Sequence, residues 1–255
     1  MKEVFSMDFS LQGKVAVVTG VSRGLGRAMA IALAQAGADI VGVGYHGMGT
    51  TKAEIEALGR KAFEITWDLA DSDRAPQLAC QCMDAFGRVD VLVNNAGIIR
   101  LAAAQDHTAE DFDAVMEVNL RSLFLLTRDI ANQMIGLGGG KIINVCSVQS
   151  CRGGSGDAAY VASKHAVHGL TRAWANEWAK YNINVNAIAP GYMVTDNTAT
   201  LRTKKDAVAA INAQIPAGRW GQPEDLMGPV VFLASSASDY VNGHMLVVDG
   251  GYLNC

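Results

Sequence analysis

The chain has 255 residues, 50% of them apolar, a formal net charge of −4 and no basic run, which supports one large core and speaks against a nucleic-acid surface. Its apolar stretches, such as 230–234, are too short to span a bilayer, and Met1-Lys2-Glu3-Val4-Phe5 carries an early acid where a signal peptide would be apolar. The five cysteines (Cys80, Cys82, Cys146, Cys151 and Cys255) make no metal-like C-x-x-C pair, which predicts free thiols, no metal site and a soluble cytoplasmic protein.

Strand-like and helix-like segments alternate along the whole chain. Val15-Ala16-Val17-Val18 is a short continuous apolar run, as in a strand covered on both faces. Thr19-Gly20-Val21-Ser22-Arg23-Gly24-Leu25-Gly26 follows, ahead of a helix whose apolar face runs Leu25, Met29, Ala32, Leu33. Glycines at such a junction let backbone N–H groups and a helix N-terminus approach a pyrophosphate; the bland alternative is a tight turn for close packing. The G-x-x-x-G-x-G spacing is one residue longer at the front than the common dinucleotide fingerprint.

The second strand, around 40–43, ends Val43-Gly44-Tyr45-His46 without the acid that NAD sites place against the ribose. Arg23 offers a bidentate partner for a 2′-phosphate, so these residues lean towards NADP, against a solvated loop cation as the alternative. Helices are expected over 50–58 and 71–86, with strands around Phe63–Ile65 and 89–93. The segment 108–133 reads as one long helix with Phe112, Val115, Met116, Leu123 and Leu126 on one side. A fifth strand covers 141–145, and a helix covers 158–180. Ile183, Val185 and Ala187 alternate with Asn184 and Asn186 in a sixth strand that ends at Pro190-Gly191.

The polar stretch 195–214 reads as a mobile lid. Pro223 opens a helix over 225–233, and 245–248 is the last strand, with Asp249-Gly250-Gly251 as its turn. Six strand–helix units predict a single α/β domain over 1–255, a Rossmann-like doubly wound parallel sheet with a substrate lid around 191–220.

Chemistry concentrates between 144 and 164. Tyr160 and Lys164 lie one helical turn apart, on one face. A phenol titrates near 10, and an ammonium one turn away is expected to bring it towards neutrality, a change of about 4 kcal/mol. Ser147, at a strand end, can donate to the same substrate oxygen. Alone, Y-x-x-x-K is a common surface pattern. Asn119 falls on the stripe 112, 116, 119, 123, whose other members are Phe, Met and Leu, so a buried amide there needs a partner.

The ordered set of the Thr19–Gly26 turn, Asn94-Asn95-Ala96-Gly97, Asn119, Ser147, Tyr160 with Lys164, and Pro190-Gly191 resembles the short-chain dehydrogenase/reductase family over almost the whole length. The resemblance implies a nicotinamide cofactor (NAD or NADP), a catalytic tetrad of Asn119, Ser147, Tyr160 and Lys164, and a homotetramer paired through the two long helices. It places Gly20, Ser22, Arg23, Gly24, Leu25, Gly26 and Tyr45 on the cofactor, with Asp68 and Leu69 at adenine. Asn95, Ala96, Gly97, Tyr160, Lys164, Pro190 and Gly191 would run along it, with Met193 and Thr195 at the carboxamide.

Within the family, Ile215-Pro216-Ala217-Gly218-Arg219-Trp220-Gly221 and Asn95-Ala96-Gly97-Ile98-Ile99-Arg100 are similar to the sugar-acid dehydrogenases of gluconate and 2-dehydro-3-deoxy-D-gluconate, whose close members lean towards NAD. A small-molecule substrate of that class would meet Ser147, Gln149, Arg152, Tyr160, Arg100 and Tyr192, with Arg152 or Arg100 on its carboxylate. Two alternatives stand beside this: reduction of a 3-oxoacyl thioester, and a dinucleotide-sensing binding protein without catalysis. His165 and His168 lack metal spacing.

Overall fold

Each strand carries two apolar faces because helices cover the sheet on both sides. The computed structural model describes residues 8–254; the Met1–Phe5 stretch and Cys255 lie outside the described residues. Seven strands, β1 (Val15–Thr19), β2 (Asp39–Gly44), β3 (Ala62–Thr66), β4 (Val91–Asn94), β5 (Gly140–Val145), β6 (Ile183–Pro190) and β7 (Met245–Val248), form one sheet in the order β3-β2-β1-β4-β5-β6-β7. All pairings are parallel.

Alternate strand residues serve opposite cores. Val15, Val17, Val41 and Ile142 face α3 (Ala75–Phe86), α5 (Ser122–Leu137) and α6 (Ala158–Trp178). Ala16, Val18, Ile40 and Ile143 face α1 (Gly24–Gln35), α2 (Thr51–Ala57) and α9 (Met227–Ala234). The strand order reverses between β1 and β4, which opens a crevice at the carboxyl ends of the strands. No helix among the described residues is long and apolar enough to cross a membrane.

Three expectations change. The long helix over 108–133 is α4 (Ala109–Met116), a π-turn (Glu117–Arg121) and α5. The wider turn shifts the helix phase, so the stripe is not continuous: Asn119 and Leu123 are buried while Phe112 is 45% exposed. Ser72, Glu117, Arg121 and Asp73 bond together at this turn and tie it to the start of α3.

Asn186 is buried although the alternation of β6 predicted a polar face. Its Nδ2 donates to Val241 O at 2.8 Å and its Oδ1 accepts from His244 N at 3.0 Å, so the chain entering β7 covers it. The 195–214 segment contains α7 (Ala199–Arg202) and α8 (Lys205–Asn212). It is anchored by a third apolar cluster, in which Ile211, Ile215, Trp220, Tyr252 and Val148 pack together.

Candidate active site

The turn after β1 is shaped for close backbone approach. Gly20 has φ 68, and a Cβ on Gly26 would overlap the Gly20 carbonyl oxygen. α1 starts at Gly24 with no side chain bonded to its first-turn N–H groups and no acid in that turn. Those donors and the positive helix end suit a pyrophosphate. Asn95 fastens β4 to this turn: its N–H donates to Thr19 Oγ1 at 3.0 Å and its Nδ2 to Thr19 O at 2.8 Å. Ala96 N also donates to Thr19 Oγ1, so Thr19, which motif reading passed over, aligns both neighbours of the switch point. Leu69 lines a narrow cavity with Thr19, Asn94 and Ala96, while Asp68 accepts from Ala70 N at 2.9 Å.

Arg23 points at the segment that follows β6. Its guanidinium pairs with Asp196 at 3.0 Å, both side chains being well exposed, and Thr195 stands over Gly24. Tyr45 is 65% exposed, edge-on to His46, beyond Gly44. Gly191 N donates to Val248 O at 3.0 Å, and Met193 is buried where residues 192–194 bond Gly221.

The four tetrad positions converge. Asn119 grips the backbone of Ile98 on both sides: Oδ1 accepts from its N–H at 2.8 Å and Nδ2 donates to its carbonyl at 2.9 Å. A second Nδ2 bond reaches Ser163 Oγ at 3.2 Å, and Ser163 Oγ donates to Tyr160 O at 2.7 Å. A Cβ on Gly97 would lie 3.2 Å from Asn119 Oδ1 and 3.7 Å from Lys164 Nζ, so a bare backbone separates the two. Lys164 is buried; its Nζ donates to Val145 O at 2.7 Å and sits 5.6 Å from the centre of the Tyr160 ring.

The electrostatics differ from expectation. Burial pushes the Tyr160 phenol up to about 12, opposed by a hydrogen bond from Ser147 and reinforced by charge at Cys146 and Asp157. Burial likewise lowers Lys164. The ammonium, tied to the Val145 carbonyl, does not bring the phenol towards neutrality; desolvation of the pair outweighs it.

Next to Ser147, an aromatic wall packs on Val148. Tyr192 lies 5.1 Å from Trp220 and 5.3 Å from Tyr252, ring centre to ring centre, and the Arg152 guanidinium sits 4.7 Å over Tyr252. Trp220 Nε1 is buried without a partner. Gln149 donates through Nε2 to Asp157 Oδ2 at 2.7 Å. Arg100 instead pairs with Asp111 on α4 at 3.3 Å. Sequence reading assigned no individual role to Trp220, Tyr252 or Asp157, although Trp220 stands in the sugar-acid-like 215–221 motif and Asp157 lies between Ser147 and Tyr160. Among the described residues no cluster of His, Cys, Asp or Glu is arranged to hold a metal ion, and Cys80, Cys82, Cys146 and Cys151 are free thiols.

A family model described as Enoyl-(Acyl carrier protein) reductase matches residues 20–253. The chain is 54% identical to 2-dehydro-3-deoxy-D-gluconate 5-dehydrogenase of Escherichia coli (strain K12) over 246 residues, covering 96% of this chain and 97% of that one. This chain belongs to the short-chain dehydrogenase/reductase family. It is an NAD(P)-dependent oxidoreductase of that family, with the Rossmann-like fold that its alternating segments predicted. Gluconate 5-dehydrogenase of Gluconobacter oxydans (strain 621H) is 40% identical over 245 residues, with 95% and 96% coverage. A crystal structure of a gluconate 5-dehydrogenase from Burkholderia cenocepacia J2315 in complex with NADP and tartrate superposes with a TM-score of 0.92 at 39% identity, over 97% of this chain and 98% of that one.

Proposed function

We propose that this chain interconverts a hydroxy and a keto sugar acid of the gluconate or 2-dehydro-3-deoxy-D-gluconate type, with NADP as its preferred cofactor. The observation that carries the reading is half-buried Tyr160 one turn of α6 from buried Lys164 and beside Ser147, in the same crevice as the uncapped start of α1. When bound, the nicotinamide supplies hydride exchange at C4. Tyr160 exchanges the proton with the substrate oxygen, and Ser147 donates to that oxygen and orients it.

A phenol held near 12 carries its proton at neutral pH, the form that protonates a carbonyl during reduction. Lys164 sets an ammonium next to the phenolate that reduction leaves behind and oxidation requires. Asn119 fixes the Ile98 peptide and, through Ser163, the first turn of α6 on which Tyr160 stands.

The absence of an acid at Gly44–His46, with Arg23 beside the glycine turn, supports NADP over NAD. Arg152, stacked on Tyr252 next to Tyr192, is suited to a substrate carboxylate, because guanidinium binds carboxylates in bidentate fashion. The stretch 191–220, which carries Tyr192, Met193 and Thr195, acts as the lid of a single-domain enzyme. Exposed Phe112 and Phe124 on the α4–α5 rod support a homotetramer, testable by sedimentation, and the free thiols support a cytoplasmic location.

The deciding experiment is a panel of sugar acids, simple ketones and an acetoacetyl thioester, followed at 340 nm with each cofactor. Turnover of a gluconate-type acid with a preference for NADP is expected. Preference for the thioester would install the alternative reaction, and cofactor binding without turnover would indicate a sensor.

A further inference from the structure

Asp157 stands where a cap should be and does not cap. It holds the N-cap position of α6, where an aspartate normally accepts from a first-turn N–H, yet its side chain makes no such bond. The carboxylate is 5% exposed and faces Gln149 instead, accepting from Nε2 on Oδ2 at 2.7 Å. Its other oxygen, Oδ1, is buried with no partner. Buried carboxylate oxygens are stable when bonded and costly when not, so Oδ1 lacks a donor that the chain itself does not supply.

The surroundings define that donor. Gln149 donates through its backbone N–H to Ser147 Oγ at 3.1 Å, which ties the Gln149–Asp157 pair to the serine at the reacting oxygen. A side chain on Gly154 would overlap both Asp157 Oδ1 and Gln149 Nε2, so the loop roof over the pair tolerates only glycine. Burial and then Tyr252 push the Tyr192 phenol up to about 12; Arg152 opposes the rise and Asp157 adds to it, so both stand near this ring. A carboxylate oxygen accepts hydrogen bonds, and the donors that a sugar acid brings are its hydroxyls.

We propose that Asp157 Oδ1, presented by Gln149, accepts a hydrogen bond from a substrate hydroxyl next to the reacting carbon and leaves the substrate's own carboxylate to Arg152. This makes Asp157 a specificity-determining residue that selects substrates bearing that neighbouring hydroxyl over those lacking it. The inference rests on the sugar-acid reading above.

The test measures kcat and KM for gluconate and for gluconates each lacking one hydroxyl other than the one oxidised, in the wild type, Asp157→Asn and Gly154→Ala. The wild type should disfavour one deoxy compound by at least about tenfold in kcat/KM. Asp157→Asn, which can still accept from Gln149, should erase that difference through KM, with kcat on the deoxy compound kept. Gly154→Ala, which displaces the pair with its carboxylate intact, should erase it too, and so guards against a folding defect in the first variant. A uniform loss on all substrates in both variants would show that the pair merely stitches the loop and would overturn the proposal.

Cyclohexane-1,2-diol against cyclohexanol, neither bearing a carboxylate, separates the two readings. If gluconates are not turned over, the sugar-acid reading fails, while a diol preference lost in Asp157→Asn still supports the hydroxyl contact. Equal wild-type rates on diol and alcohol would overturn it.

Discussion

Beneath the crevice, buried amides and hydroxyls bond to one another across four elements. Asn94 Nδ2 donates to Thr127 Oγ1 at 2.8 Å and to Asn144 Oδ1 at 2.9 Å, and Asn144 Nδ2 donates to Thr171 Oγ1 at 2.9 Å. These bonds cross from α5 through β4 and β5 to α6, and Asn119 adds the Ile98 clamp above them. The aromatic wall is built differently. Its aromatic stack leaves Trp220 Nε1 and Asp157 Oδ1 buried and unpaired. A satisfied buried network is rigid and intolerant of change, whereas a buried polar group without a partner can still accept one from a ligand. On the function proposed above, the floor would place the reacting atoms and the wall would choose the substrate.

The largest effect that sharpens this contrast is on pH. A phenol near 12 must lose its proton for oxidation, so oxidative kcat should climb about tenfold per pH unit from 7 to 10 while reduction holds steady. A plateau in oxidation already reached at pH 8 would show that Lys164, and not burial, governs Tyr160. Next comes the floor itself. Asn119→Ala strands the Ile98 N–H and carbonyl, each a penalty of about 1–3 kcal/mol, so thermal unfolding should shift down together with kcat. An unchanged melting temperature would place Asn119 outside the rigid floor.

On the wall, Arg152→Ala should raise KM for a carboxylate substrate by about tenfold or more. Stability should stay within about 0.5 kcal/mol, since the residue is exposed. Equal effects on neutral and acidic substrates would remove its assigned role. The smallest change is expected from Asp196→Ala. Freeing Arg23 from an exposed ion pair worth about 0–1 kcal/mol should tighten NADP a few-fold and leave NAD unaltered, as titration of each cofactor would read.

Legibility in the sequence followed the same division. The floor was readable because its signals are local: apolar runs, a glycine turn between strand and helix, and Tyr160 and Lys164 at helical spacing. Even there the π-turn at 117–121 left no mark, since Glu-Val-Asn-Leu-Arg contains neither Gly nor Pro and reads as ordinary helix. The burial of Asn119 came out correctly while the stripe used to infer it did not, because Phe112 lies on the far side of that turn.

The wall was largely hidden because its members meet only by tertiary packing. Val148, Tyr192, Trp220 and Tyr252 come together from four separate stretches of chain. Asp157 carried an ambiguous signal, since an aspartate ahead of a helix ordinarily means a cap. Arg23 was readable as a cation at the glycine turn, but its partner Asp196 lies in a polar segment whose course no local pattern determines.

The most direct test of the proton-transfer centre is Tyr160→Phe, assayed at 340 nm for turnover and by fluorescence titration for cofactor binding. Removing the hydroxyl should lower kcat by about 10²–10⁴ in both directions with cofactor affinity largely kept. Near-normal turnover in this variant would contradict the account.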